Sequence, residues 1–357
     1  MDTTILDELI RLAEKLGVSN GASVSTELFD LTRSPKPVAP TEEPATHCVS
    51  RLNGDGTPLQ VVVSAGSAGC GLGFIVDPVE AGATVSTRVF ETGRVLARIC
   101  AADTAEATVI LEHYRRVSSV LLPQEVSELD GLDGGGVWVA VRLMPAGGTY
   151  VSAYFNGAWG DDTHKAERQL RLLSDFSCPR ARRRLVSLQS FLASFSKPLG
   201  QAVSIGGTRN GIAKFYFRTF DPSLRNIAEL YAGVGMKSGY ADFEAFTEAI
   251  LPPFPAYPDP AIVFSLEFDL DADRLHGLKV DACAHCLPHG DDSYVTRWTA
   301  LMRRFGFDTE DYHRAIRIVA KGDITSDALC HAFMGVGHDL DGGRRLNAYL
   351  KPTGCGK

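Results

Sequence analysis

Hydrophobic and polar residues alternate with a period of two in five places along the chain. Each time they form two short runs broken by a turn. The pairs fall near Leu59–Pro78, Val137–Asn156, Gln201–Phe220, Ala261–His285 and Leu329–Pro352. Alternation of this kind predicts strands, and the Gly- and Asp-rich turns between the runs predict hairpins. Between the pairs the spacing of apolar residues becomes helical, over Thr92–Leu122, His164–Ser196, Leu224–Ile250 and Ser293–Val319. An opening helix is predicted over Thr4–Leu16, where Ile5, Leu9, Leu12, Ala13 and Leu16 share a face and Asp2 or Thr3 can cap it. The chain therefore repeats one unit five times, a strand pair with flanking helices, and such a repeat governs the reading of the whole fold.

Strand pairs that each return through helices can close into one antiparallel barrel with the helices outside. The expected class is α+β: an antiparallel β-barrel of about ten strands, built of five repeated strand-pair units with helices outside. The Pro-rich stretch Ser34–Ala45 reads as an extended lead-in, and no other stretch reads as a linker. One domain over 1–357 is expected, with residues 1–50 leading into a barrel over 51–357. A barrel of this size can hold a ligand, so function is sought on inward-facing strand residues.

Composition narrows the classes. Hydrophobic residues make up 45% of 357 residues, enough for a large core, and a net charge of −7 argues against general nucleic-acid binding. The basic run Arg180, Arg182, Arg183 and Arg184 reads as a solvated helix face. The acidic start lacks the basic region and apolar run of a signal peptide. No stretch reaches the ~18 apolar residues of a membrane span. Eight scattered cysteines fit a reduced, cytoplasmic setting better than a disulfide framework.

The most pointed strand is Lys214-Phe215-Tyr216-Phe217-Arg218. Lys214, Tyr216 and Arg218 share one face and the phenylalanines take the other. Turned inward, the polar face needs a partner, because an unpaired buried charge is costly, and an anionic ligand would supply one. Turned outward, it would simply meet water. The repeat favours the inward orientation. Lys279 and Asp281 alternate with apolar residues on the equivalent strand of the fourth unit, and Tyr154 and Tyr349 recur on those of the second and fifth.

On these residues the chain resembles the aromatic prenyltransferases of the ABBA, or prenyltransferase-barrel, type. Asn53-Gly54-Asp55-Gly56-Thr57-Pro58-Leu59-Gln60 is similar to the first-strand entry of the indole and peptide prenyltransferases. Lys214-Phe215-Tyr216 is similar to their Lys-x-Tyr strand, and Leu346-Asn347-Ala348-Tyr349-Leu350-Lys351-Pro352 to their closing strand. The resemblance implies that an isoprenyl diphosphate, dimethylallyl for choice, loses diphosphate to give an allyl-cation-like species. An aromatic small molecule or a peptide side chain then attacks it. It further implies Lys214 and Lys279, with Arg218 and Arg345, at the diphosphate, and Tyr154, Tyr216 and Tyr349 around the cation.

Three departures stand out. Gln60 occupies the position of a Glu in tryptophan-modifying members; it can accept a hydrogen bond but is a negligible base. Asp281 or Glu267 is then the candidate base. Gly73 stands four residues before Asp77-Pro78, where many relatives carry Arg, and Ser152 stands where many carry Lys. A non-catalytic barrel binding a hydrophobic ligand is the alternative expectation. A purely structural scaffold is a third, and requires Lys214, Tyr216 and Lys279 to face outward.

Other motifs carry less. Cys283-Ala284-His285-Cys286 with His289 lacks the second pair of a structural zinc site. Gly69, Gly71 and Gly73 read as a hairpin turn, since no Lys follows as in a phosphate loop. Asp161-Asp162 and Asp291-Asp292 read as helix caps. No cofactor is required by the sequence; Mg2+ can bridge a diphosphate, but the sequence fixes no site for it.

Overall fold

The computed structural model describes residues 3–15, 52–53, 57–67, 69–77, 83–101, 104–132, 135–144, 149–157, 159–207, 211–220, 223–253, 258, 261–322, 324–325 and 327–353. The Pro-rich lead-in, the candidate cap Asp2 and Gly54–Gly56 of the first-strand entry lie outside these residues.

Ten strands form the barrel: β1 (Leu59–Gly66), β2 (Gly69–Val76), β3 (Val137–Leu143), β4 (Thr149–Asn156), β5 (Ser196–Gly207), β6 (Ile212–Thr219), β7 (Ile262–Asp269), β8 (Arg274–Cys283), β9 (His331–Asp339) and β10 (Arg344–Leu350). Each pairs antiparallel with its chain neighbours, and β10 pairs with β1 to close the ring. Closure removes the free edges that would otherwise invite aggregation.

Ten α-helices flank the strands among the described residues. They are α1 (Thr3–Lys15), α2 (Val85–Cys100), α3 (Thr104–Leu121), α4 (Val126–Asp130), α5 (Asp162–Asp175), α6 (Pro179–Ala193), α7 (Arg225–Gly233), α8 (Tyr240–Ile250), α9 (Asp291–Arg304) and α10 (Glu310–Val319). The first helical stretch begins earlier than its sequence pattern predicts, because Thr84 caps α2 by accepting the amide of Thr87 at 3.2 Å. α6 starts on Pro179, and Asp273 of the β7–β8 hairpin accepts the amides of Arg180 and Ala181 at 3.0 and 2.9 Å. That hairpin supplies the cap the helix's own sequence lacks. Arg180, Arg182 and Arg183 are exposed, as a solvated face requires, but Arg184 is partly buried and donates to the Gly233 carbonyl.

The period of two gives each strand two environments. Phe215 and Phe217 of β6, Phe264 and Phe268 of β7, and Val139 and Val141 of β3 face outward into the main core beneath the helices. Phe264 stacks against Phe217 and Phe195 at centroid distances of 5.2 and 5.6 Å. A second, smaller apolar cluster of Val62, Ile75, Ala332 and Tyr349 lies on the lumen face, with Trp138, Tyr154 and Phe333 packed against it.

One capping expectation divides. Asp161 does cap α5, accepting the His164 amide at 2.9 Å. Asp291 does not cap α9, whose N-cap is Gly290. Asp291 instead turns into the protein, where it accepts the amides of Cys330 and His331 at 2.5 and 3.0 Å and pairs with the His331 imidazole. Tyr312 holds the other ring nitrogen at 2.8 Å. This buried clasp ties α9 and α10 to the start of β9.

Candidate active site

The inward face of β6 carries Lys214, Tyr216 and Arg218, so the polar side of that strand turns to the lumen and the phenylalanines turn to the helices. The inward orientation expected from the repeat is the observed one. A scaffold with these groups in water is excluded.

Lys214 and Glu267 sit directly opposite each other on β6 and β7. The ammonium meets the carboxylate at 3.0 Å. Arg345 comes from β10 and reaches the same carboxylate across β9 and β8. Two glycines clear its path. A Cβ at Gly337 would lie 3.0 Å from Nε of Arg345, and one at Gly277 would lie 3.4 Å from Oε2 of Glu267. Burial works to raise the Glu267 carboxyl, but Arg345 and Lys214 outweigh it and hold it below its ordinary range. Burial pushes the Lys214 ammonium down to about 7; Glu267 opposes that shift, while Arg345 and Arg142 add to it.

A second ion pair lies deeper. Lys279 contacts Asp281 at 2.7 Å and donates to the Tyr349 hydroxyl at 2.5 Å. Its ammonium stands 4.8 Å from the Tyr349 ring centroid and 5.9 Å from that of Tyr216. Burial raises the Asp281 carboxyl above its ordinary value despite Lys279. Oδ2 is engaged by the lysine; Oδ1 has no hydrogen-bond partner although it is buried. Asp281 fits only because its neighbour across β8 and β9 is Gly335, where a Cβ would fall 2.0 Å from Oδ1.

The tyrosines stand between these pairs. Tyr154 and Tyr216 are 5.9 Å apart centroid to centroid, with hydroxyls at 3.4 Å, and Tyr349 meets Phe333 edge-on at 6.2 Å. Burial raises all three phenols above their ordinary value, so they remain neutral. Gln60 donates its amide N–H to Asn53 at 2.8 Å, and Asn53 donates in turn to the carbonyl of Thr57 at 2.7 Å. This chain fixes the Gln60 rotamer.

The lumen holds two cavities of about 300 and 290 Å³. The first is the more polar and carries an excess of cations, lined by Arg142, Lys214, Arg344 and Arg345 with Glu267, Asp339 and Ser152. The second is mostly apolar, lined by Leu52, Trp138, Leu199, Tyr216, Val263 and Phe333 with Gln60, Lys279 and Asp281. Ile75, Tyr154 and Tyr349 line both and form the wall between them.

The expected residues therefore separate into groups. Lys214, Arg345 and Glu267 come together at the cationic cavity. Lys279 does not join them: it lines the apolar cavity, and Asp281 and Tyr349 hold it there. Arg218 lines neither cavity. It is two positions beyond Tyr216 on β6, beside Val263 on β7, so the advance along the strand carries it away from the cationic end, beyond the apolar cavity.

Sequence reasoning missed Arg142, Trp138, Phe333 and the glycines of β9. The signal for Arg142 and Trp138 was available, since they alternate on one face of Val137–Leu143. Gly335 and Gly337 gave none, because what a missing side chain makes room for depends on neighbours distant in the chain.

Among the described residues, no group of three or more His, Cys, Asp or Glu side chains is placed to hold a metal ion. Cys283 and Cys286 approach at 3.4 Å without further ligands of that kind. No helix among those residues is long and apolar enough to cross a membrane.

A closed ten-stranded barrel ringed by helices, with its polar groups inside, defines the prenyltransferase-barrel fold. Solved structures that share it include 5-dimethylallyltryptophan synthase from Streptomyces coelicolor, at 19% identity and TM-score 0.74 over 97% of this chain and 95% of that one. The 6-dimethylallyltryptophan synthase from Micromonospora olivasterospora, in complex with DMASPP and Trp, aligns at 17% identity and TM-score 0.71 over 98% and 97%. AnaPT from Neosartorya fischeri aligns at 15% identity and TM-score 0.73 over 98% and 92%. No protein-family profile matches the chain, and no curated protein sequence matches it.

Proposed function

We propose that this protein is an aromatic prenyltransferase moving a dimethylallyl group from its diphosphate to an electron-rich aromatic acceptor. The observation that carries the reading is the division of one lumen by a tyrosine wall. A cationic cavity lies on one side and an apolar aromatic cavity with a buried carboxylate on the other. The structural neighbours from Streptomyces coelicolor and Micromonospora olivasterospora were solved with DMASPP and Trp, a donor analogue and an aromatic amino acid, which supports the same pairing here.

In this reading the donor's diphosphate lies by Lys214 and Arg345. Its allylic C–O bond breaks, and the bonding pair leaves with the diphosphate, stabilised by fixed cations in a dry site. The allyl cation is flanked by Tyr154, Tyr216 and Tyr349, whose faces attract it and whose bulk excludes water. An acceptor ring carbon in the apolar cavity supplies the electron pair for the new bond. The ring then loses its proton, and Asp281 takes it, since burial raises that carboxyl toward the range of a working base. Gln60 positions the acceptor by accepting a hydrogen bond and takes no proton. Glu267 is less suited to be the base, because its two cations hold it ionised at low pH.

The test is incubation with dimethylallyl diphosphate and a panel of indoles, phenols and aromatic peptides, read by diphosphate release and by mass gain of one dimethylallyl group. Product with any aromatic acceptor supports the reading. Binding of apolar ligands to the lumen with no diphosphate binding and no product would replace it with a carrier for hydrophobic molecules.

A further inference from the structure

The cations of the polar cavity differ in what they already hold. Lys214 and Arg345 share the single carboxylate of Glu267, so two positive charges and one negative leave a net of one. Arg344 is turned to the rim, where it pairs with Asp242 at 3.3 Å and stacks over Phe305 at 4.9 Å. Arg142 lines the same cavity and makes no ion pair or side-chain hydrogen bond among the described residues.

Its surroundings leave it room. Across β2 its directly paired neighbour is Gly73; on β4 it faces Tyr150, and the small Ser152 follows two positions along, both lining the same cavity. A Cβ at Gly73 would lie 3.0 Å from the Val141 carbonyl and 3.6 Å from Cα of Arg142, so a side chain there would crowd the strand that carries the guanidinium. Its positive charge is nonetheless felt at Lys214, Tyr154 and Tyr349, which places it electrostatically inside the site.

From this we infer that Arg142 is the principal diphosphate-binding residue of the cavity, the cation whose charge is kept in reserve for the ligand. The inference rests on the prenyl-diphosphate reading above and assigns the main anion contact to a residue of β3. Lys214 and Arg345 must share their charge with Glu267 when the ligand enters. Arg142 gives up no protein partner, and it adds a positive charge to a cavity where Glu267 and Asp339 offset Lys214 and Arg345. Its planar fork offers two parallel N–H donors to two phosphate oxygens, where an ammonium acts as a point charge.

The experiment is calorimetric titration of inorganic diphosphate, and separately of dimethylallyl thiolodiphosphate, into wild type, Arg142→Ala, Arg142→Gln and Arg142→Lys. Arg142→Ala is expected to weaken both ligands about ten- to hundredfold, the loss of one charge-assisted contact. It should also lower the salt dependence of binding. Arg142→Lys should recover part of the affinity and Arg142→Gln little. Thermal unfolding without ligand should barely move, because no protein contact is lost. Wild-type binding matched by all three variants would overturn the assignment and leave the prenyltransferase reading standing. Failure of wild type to bind either diphosphate would remove the reading and the assignment together. If Arg142→Ala does not fold, the comparison of Arg142→Lys with Arg142→Gln decides: equal affinities overturn the assignment, and a weaker Gln variant supports it.

Discussion

At the scale of single residues, the chemistry of this barrel turns on charges that burial makes adjustable. Burial brings the Lys214 ammonium down to about 7. An incoming diphosphate is a strong opposite charge and raises that value, so binding takes up a proton. Below about pH 7 the ammonium is already formed and no uptake occurs; above it, uptake costs free energy and affinity falls as pH rises. Calorimetry of inorganic diphosphate at about pH 8, in buffers of different ionisation heat, should show fractional proton uptake in wild type and less in Lys214→Met. Equal uptake in the variant would assign the proton elsewhere.

Glu267 pulls in two directions. It compensates Lys214 and Arg345, and it competes with any anion for them. Glu267→Gln leaves the buried Arg345 guanidinium without its carboxylate and lets burial take Lys214 lower still, toward the neutral amine. Breaking a buried pair in this way costs about 3 kcal/mol or more. The variant should therefore unfold at lower denaturant concentration and yet bind diphosphate more tightly, with saturating diphosphate restoring much of the lost stability. Loss of stability together with loss of affinity would contradict this account.

At the scale of elements, β9 is the strand that makes room. Its lumen positions run Phe333, Gly335, Gly337, and the two glycines seat Asp281 and Arg345 from the strands on either side. In Gly335→Ala the new methyl group falls on Oδ1 of Asp281, so the carboxylate must rotate away from Lys279. The expected result is a loss of about 1–3 kcal/mol by overpacking, near-normal diphosphate affinity, and product formation reduced by at least tenfold. A variant with normal turnover would show that Asp281 need not hold its observed position.

The whole molecule depends on closure. β10 pairs with β1 over Val61–Gly66 and also brings Arg345, Asn347 and Tyr349 to the lumen. Ending the chain after Gly343 opens two strand edges and exposes the luminal apolar cluster. Such a chain should lose cooperative unfolding and bind hydrophobic dyes. Retention of a sharp transition would mean that the nine remaining strands form a stable sheet alone.

Much of this architecture was legible from the chain. The alternation in Lys214–Arg218 separates lumen from core residue by residue, and the five-fold recurrence implies a ring of ten strands with helices outside. Those properties are local: a side chain's face follows from a period of two whatever the rest of the protein does. The partnership of Lys214 with Glu267 and Arg345, the absence of Lys279 and Arg218 from the cationic cavity, and the tyrosine wall were decided only by the tertiary structure. They depend on how far each strand is advanced against its neighbours when the ring closes. That stagger is fixed by packing and pairing across the whole circle, and no single strand's sequence contains it.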